Sequence, residues 1–123
     1  MPRVTDLIRR HLADGLGMPG PVRTTRSCVE LRRSEWSPEF ETRMRNRLIL
    51  GALRYGLLHD PSKPQWDRVG RIRTELEHYV ATGNRECLVE ISNHALIEYE
   101  EGNHPLAHFA GRDGGTHTAE VVR

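Results

Sequence analysis

Apolar side chains recur at helical spacing in the middle of the chain. Five of them stand three or four positions apart and share one stripe of an α-helix: Phe40, Met44, Leu48, Ala52 and Tyr55. Ser37 is a favourable N-cap, Pro38 suits the first helical turn, and Gly56 follows the last apolar position. The pattern therefore predicts a helix between Ser37 and Gly56 with this stripe buried.

Two more helices are predicted after a turn at LLHDPSKP, where prolines disfavour helix at the residues before them. The third helix opens near Pro64 and ends at Gly83, and the fourth runs from a cap at Asn84 to Gly102. The inward positions of the third helix are Trp66, Val69, Ile72, Leu76 and Tyr79 or Val80. Those of the fourth are Leu88, Ile91, Ala95 and Ile97 or Tyr99.

The two ends of the chain differ from this helical region. Thr5 or Asp6 can cap a short helix that ends near Gly15. Residues 16–35 are rich in Gly, Pro, Thr and Arg, and their prolines exclude helix, so we interpret them as an extended arm. The last residues are Gly-rich and polar, which is typical of a flexible tail.

The length bounds the fold. A chain of 123 residues has room for a single domain and is too short for a Rossmann or barrel enzyme. We therefore predict an all-α fold with three parts. A helical bundle of three to four helices occupies residues 36–109, after a short helix and extended N-terminal arm in residues 1–35 and before a flexible tail in residues 110–123.

Charge is unevenly distributed. Residues 1–34 carry seven arginines against three acidic residues, whereas residues 86–123 carry two basic against seven acidic residues. This asymmetry favours charge pairing within or between subunits over a nucleic-acid-binding surface. Cys28 and Cys87 give neither a disulfide framework nor metal-ligand spacing. Because no apolar run reaches about 18 residues and no apolar leader opens the chain, we expect a cytoplasmic protein without membrane contact.

Acidic residues also recur at helical spacing. Glu75 and His78 share one face of the third predicted helix, and Glu86, Glu90 and Asn93 share one face of the fourth. Carboxylates at such spacing on two neighbouring antiparallel helices can hold Mg²⁺, which binds oxygen ligands together with phosphates. The layout indicates chemistry on a nucleotide polyphosphate.

The order Glu75-x-x-His78, an 11-residue gap and Glu90-x-x-Asn93 resembles the E-x-x-E and E-x-x-D motifs of the MazG-like all-α nucleotide pyrophosphohydrolases and their phage relatives. The resemblance covers about residues 36–109 and includes RLILGALRYG and GNRECLVEISNHALIEYEEGNHPLAHF. His78 stands where the family has its second Glu, and Asn93 where it has Asp. The ligand set then carries about two negative charges instead of four.

The resemblance implies a homo-oligomer that hydrolyses a nucleoside triphosphate to the monophosphate and pyrophosphate with Mg²⁺ or Mn²⁺. The metal ligands it implies are Glu75, Glu86, Glu90 and Asn93. Of these, Glu75 and Glu90 would be catalytic. Arg54, Lys63, Arg68 and Arg71 cluster around the turn between the second and third predicted helices, where they could meet phosphates. Of these, Arg54, Lys63 and Arg71, together with His78, are the predicted substrate-binding residues.

Other interpretations stay open. His78 and Asn93 favour a non-catalytic helical adaptor or regulatory protein that binds a protein partner through the bundle. The pair His59-Asp60 is found in HD phosphohydrolases, but a lone pair before a proline is a weak signal for a metal site. Cys87, at the start of an apolar helix, is interpreted as a small buried apolar residue.

Overall fold

The computed structural model describes residues 23–111, and within them the chain is all-α, without a strand. Its helices are α1 (Cys28–Ser34), α2 (Pro38–Tyr55), α3 (Arg68–Thr82) and α4 (Glu86–Glu101). The predicted all-α class is confirmed. The short helix predicted to end near Gly15, the first part of the arm and the tail beyond residue 111 lie outside the described residues.

The described residues belong to two units, Ser37–Ala107 with α2, α3 and α4, and the flanking residues 23–36 and 108–111 with α1. Helix α1 corrects the prediction that residues 16–35 contain no helix. Its N-cap Ser27 accepts a hydrogen bond from the Glu30 backbone N–H at 3.2 Å through Oγ. Serine followed three residues later by glutamate is a common start signal for a helix, and it stabilises this short turn.

The ends of the longer helices follow local signals. The Ser37 hydroxyl accepts a hydrogen bond from the Phe40 N–H at 3.1 Å, which begins α2. Asp67 caps α3 by accepting from the Gly70 N–H at 2.9 Å, so α3 begins at Arg68 and not near Pro64. The helix ends where Gly83 adopts a left-handed φ of 71°, a conformation that glycine enters without steric cost.

Helix α4 contacts both α3 and α2 and forms the centre of the unit. Its buried residues are Cys87, Val89 and Asn93, whereas the predicted inward residues Leu88 and Ile91 are only partly buried. Ala95, which was also predicted to face inward, is exposed, so the predicted inward positions of α4 are not its buried ones.

Only part of the predicted inward set of α3 faces the interior, where Ile72 and Tyr79 are partly buried at helical spacing from Arg68 and Glu75. Arg68 and Glu75 are its buried residues, while Leu76 is 51% and Val80 is 79% exposed. Burial of Glu75 is tolerated because its Oε1 lies 2.8 Å from Arg71 Nη2, which balances the charge. Much of the apolar stripe of α3 is therefore on the surface of this chain. Within residues 23–111, every helix is too short or too polar to cross a bilayer.

Candidate functional site

A cavity of about 660 Å³ lies within the unit Ser37–Ala107. Its wall comes from the second half of α2, the connection between α2 and α3, the first turn of α3 and the middle of α4. Its basic side chains are Arg47, Arg54, Lys63, Arg68 and Arg71. The acidic side chains in the described wall are Asp67 and Glu90. Positive charge thus exceeds negative charge, which suits the cavity to a polyanion.

Two aromatic rings form part of this wall. The rings of Tyr55 and Trp66 meet edge to face, with centroids 5.4 Å apart and planes at 67°. The Lys63 ammonium lies 5.9 Å from the centroid of Trp66 and donates a hydrogen bond to the Gly56 carbonyl at 3.1 Å. Trp66 remains 46% exposed and Tyr55 58% exposed. A flat aromatic ligand can therefore stack on either ring.

Arg47 connects α2 to two carboxylates of α4. Its Nε donates a hydrogen bond to Glu90 Oε1 at 2.9 Å and lies 3.2 Å from Glu86 Oε1. The Arg47 Nε–H donates its hydrogen bond to Glu90, so the contact with Glu86 is an ion pair without a hydrogen bond. The buried Glu86 Oε1 therefore has no donor among residues 23–111. The hydrogen bond with Glu90 raises the pKa of Arg47, and the charge of Glu86 adds to it. One guanidinium thus balances two of the predicted metal ligands.

Asn93 has a structural contact and an unused polar atom. Its Nδ2 donates to the Met44 carbonyl at 3.1 Å, which ties α4 to α2. Its Oδ1 is buried and accepts no hydrogen bond among the described residues, while Asn93 as a residue is part of the cavity lining. An unsatisfied buried acceptor is costly, so a cation or an N–H donor that reaches this atom would relieve it.

His94, the next residue, also lines the cavity. Its Nε2 lies 3.8 Å from Glu90 Oε2, and its buried Nδ1 accepts or donates no hydrogen bond in the described part of the chain. Burial lowers the pKa of His94, and the neighbouring Glu90 charge opposes this shift without overcoming it. The imidazole is therefore neutral at pH 7 and available as a proton acceptor.

Glu75 lies in a second cluster, where α3 meets the start of α4. One ligand atom from each of Glu75, His78 and Cys87 lies within 4.8 Å of the other two. Cys87 is 3% exposed and Glu75 7% exposed, whereas His78 is exposed. Burial raises the pKa of the Cys87 thiol, and a hydrogen bond with the Glu75 carboxylate raises it further.

The predicted site residues are thus divided between these places. Those that line the cavity are Arg54, Lys63, Arg71, Glu90 and Asn93. Glu86 lies at the Arg47 ion pair, while Glu75 and His78 lie with Cys87. Across residues 23–111, the cluster with Cys87 is the one place where three His, Cys, Asp or Glu ligand atoms converge within 4.8 Å. The predicted carboxylates are not drawn into a single cage.

Sequence reasoning missed several residues of the cavity. Arg47 stands seven positions before Arg54, which is about two helical turns, so both residues lie on one face of the helix. This spacing is a signal that could have identified Arg47 from the sequence. His94 carried no comparable signal, because its inward orientation depends on how α3 and α4 rotate against each other. The contact between Cys87 and Glu75 was missed for the same reason, because it depends on how α3 packs against α4. Arg68 was predicted to cluster with Arg54, Lys63 and Arg71 at the turn between α2 and α3, and it lines the cavity with them.

The pair His59-Asp60 has structural contacts in the connection between α2 and α3. His59 Nδ1 contacts the Glu101 carboxylate at the end of α4. Asp60 Oδ1 accepts hydrogen bonds from the Ser62 N–H at 2.9 Å and hydroxyl at 2.7 Å, and these bonds lower the pKa of Asp60. Both side chains therefore stabilise the turn.

Comparisons of the chain with protein-family models, curated proteins and solved structures find no match.

Proposed function

We propose that this protein is a Mg²⁺-dependent nucleoside triphosphate pyrophosphohydrolase of the cytoplasm, which converts a (d)NTP to the monophosphate and pyrophosphate. The observation that carries the proposal is the composition of the cavity. Basic side chains, an exposed aromatic pair and the residues Glu90 and Asn93 line one space of about 660 Å³. That volume is within the range of nucleotide-sized ligand sites.

The basic side chains match the triphosphate. Arg54 and Lys63 come from the end of α2 and the following connection, and Arg71 comes from the first turns of α3, so they approach from two sides. Guanidinium groups bind phosphate oxygens in pairs of hydrogen bonds, and the Lys63 ammonium acts as a point charge. Glu75 holds Arg71 at 2.8 Å and so positions a phosphate ligand from behind the cavity wall. Trp66 or Tyr55 would stack on the base.

The oxygen atoms of α4 fit a hard divalent cation. The residues Glu90 and Asn93 line the cavity, the buried Oδ1 of Asn93 has no hydrogen-bond partner among residues 23–111, and Glu86 lies one turn before Glu90. Bound to them, Mg²⁺ would polarise the phosphate and neutralise its charge. Arg47 would have to leave the two carboxylates, and a phosphate oxygen is a suitable new partner for its guanidinium. Glu90 or the neutral His94 can then accept the proton of the attacking water.

A non-catalytic helical adaptor that binds a protein partner is the second candidate. Arg47 already pairs with both Glu86 and Glu90, which supports a structural role for these carboxylates. Leu53 and Val80 are each 79% exposed, and such exposed apolar side chains could be covered by a second protein. Such an adaptor would need no metal.

The deciding experiment is a screen for pyrophosphate release over the four ribonucleoside and four deoxyribonucleoside triphosphates, with Mg²⁺, with Mn²⁺ and with chelator. We expect metal-dependent release from at least one nucleotide and its loss in Glu90→Gln. Glu100→Gln, on the exposed side of the same helix, is the matched control and should retain activity. Absence of release and of any nucleotide-induced rise in melting temperature would favour the adaptor.

A further inference from the structure

We propose that Glu75, His78 and Cys87 form a binding site for a borderline transition-metal ion, for which Zn²⁺ is the natural choice. The site is distinct from the proposed Mg²⁺ ligands of the cavity. It rests on the convergence of three different ligand types from α3 and from the first turn of α4, each with an atom within 4.8 Å of the other two.

The geometry needs little change to bind a metal. Glu75 and His78 stand at i and i+3 on one face of α3, and Cys87 approaches from α4 after the turn at Gly83. In a tetrahedral zinc site with bonds of about 2.0–2.3 Å, ligand atoms lie roughly 3.3–3.8 Å apart. The present separations of up to 4.8 Å therefore have to shrink by about an ångström. The exposed His78 side chain can make that movement by changing rotamer.

The ligand set selects the class of ion. Mg²⁺ and Ca²⁺ take oxygen ligands almost exclusively, whereas thiolate and imidazole favour softer ions such as Zn²⁺. A carboxylate, an imidazole and a thiolate together are typical zinc ligands, and three protein ligands leave a fourth position open to water or another donor. Because Cys87 supplies a sulfur ligand, this site should prefer a different class of metal ion from the proposed Mg²⁺ site of the cavity, whose ligands are all oxygen atoms.

The surroundings also suit a metal. Arg71 holds Oε1 of Glu75 at 2.8 Å, which orients the carboxylate and leaves its second oxygen for the ion. The Glu75 and Cys87 side is buried and the His78 side is open, so an ion can enter past the imidazole. On binding, the Cys87 S–H loses its proton to solvent and the sulfur forms a bond to the ion, so one proton is released for each ion bound.

The test uses the full chain and Co²⁺ alone, without nucleotide. A thiolate bound to Co²⁺ gives a charge-transfer band in the near ultraviolet, and the chain contains only Cys28 and Cys87 as sources of one. We expect one Co²⁺ per chain, displacement by equimolar Zn²⁺, and no displacement by excess Mg²⁺. Cys87→Ser should abolish the band, and the matched control Cys28→Ser should retain it.

A second variant keeps the test independent of the buried cysteine. His78→Gln lies on the exposed side and should fold normally, yet it should weaken Co²⁺ binding by about tenfold or more, because it removes a direct ligand. A wild type without the band, a band lost in Cys28→Ser instead of Cys87→Ser, or unchanged affinity in His78→Gln would overturn the proposal. Since no nucleotide is present, this result is independent of whether the protein hydrolyses triphosphates.

Discussion

Arg47 of α2 and Glu90 of α4 form a hydrogen-bonded ion pair, with 2.9 Å between Nε and Oε1. The same Nε lies 3.2 Å from Glu86 Oε1, so one guanidinium serves two carboxylates. The Arg47 side chain is 41% exposed, and pairs with that degree of solvent access contribute about 1 kcal/mol or less. The pair is therefore weak enough to be exchanged for a metal ion and a phosphate.

Replacing Arg47 tests this exchange. Arg47→Gln leaves Glu86 and Glu90 without their cation, so we expect the free energy of unfolding to fall by about 1 kcal/mol or less without metal. Mg²⁺ should then raise the melting temperature more than it does in wild type, because it no longer competes with the guanidinium. Arg45→Gln is the control, since Arg45 pairs with Glu41 on the same helix. An equal Mg²⁺ response in all three proteins would refute the exchange.

Asn93→Asp restores the acidic residue of the resembled motif and has two opposing effects. It removes the Nδ2 donor to the Met44 carbonyl and buries a charge, so the metal-free protein should lose about 1–3 kcal/mol of stability. The added charge should strengthen Mg²⁺ binding, so saturating Mg²⁺ should recover much of that loss. Thermal melts with and without Mg²⁺ measure both effects. The exposed Asn46→Asp should show neither.

Burial lowers the pKa of His94 below its ordinary value of 6.5, which predicts a pH dependence of stability. The folded state favours the neutral imidazole over the charged one. The contribution of His94 to the free energy of unfolding is therefore fully present above pH 6.5 and is lost as the pH falls through the lowered pKa. The melting temperature should drop as the pH falls below 6.5. His94→Gln should reduce that drop, whereas the exposed His104→Gln should leave it unchanged. Identical slopes in all three proteins would contradict the assignment.

The contact faces of α3 and α4 can be tested by truncation. Val89 is 2% exposed, so Val89→Ala should cost about 1–3 kcal/mol of unfolding free energy. Leu76→Ala removes more atoms from α3 but from a half-exposed position, so it should cost less. Chemical denaturation at low protein concentration compares them. A larger cost for Leu76→Ala would show that the face predicted from apolar periodicity is the buried one.

Self-association is expected from the exposed apolar side chains. Leu53 and Leu57 are 79% and 73% exposed, and they lose contact with water when another copy covers them. Sedimentation should give a mass at least twice 14.1 kDa at tens of micromolar. Leu53→Asp should shift the mass towards the monomer because it places a charge in an apolar contact. Asn46→Asp adds the same charge elsewhere on α2 and should have no such effect. A wild-type monomer would contradict the expectation.

The sequence predicts several helix ends because their signals are local, whereas α3 begins at Arg68 and not near the predicted Pro64. Ser37 with Pro38, and Gly83 with its left-handed backbone, act through neighbouring residues alone. Helix α1 has a comparable signal in Ser27 and Glu30, and the prediction overlooked it because the prolines upstream dominated the interpretation. Local chemistry therefore determines where the helices begin and end.

Apolar spacing along the sequence does not by itself show which face of each helix is buried. Apolar periodicity would bury Leu76 and Val80 of α3, yet both are exposed, and Arg68 and Glu75 are buried instead. Burial of the Glu75 carboxylate is possible because Arg71 balances its charge. That outcome depends on a pairing between side chains and on the rotation of α3 against α4. The cluster of Glu75 with Cys87 depends on the same rotation, which explains why residue spacing alone did not predict it.

Trp66 has a practical consequence for work on the cavity. The chain contains two tryptophans, Trp36 and Trp66, and the indole of Trp66 lies in the cavity wall under the Lys63 ammonium. Its fluorescence should change when a ligand stacks on the ring or displaces Lys63. In a Trp36→Phe protein the emission would come from the cavity alone, so occupancy could be titrated optically without a label or a turnover assay.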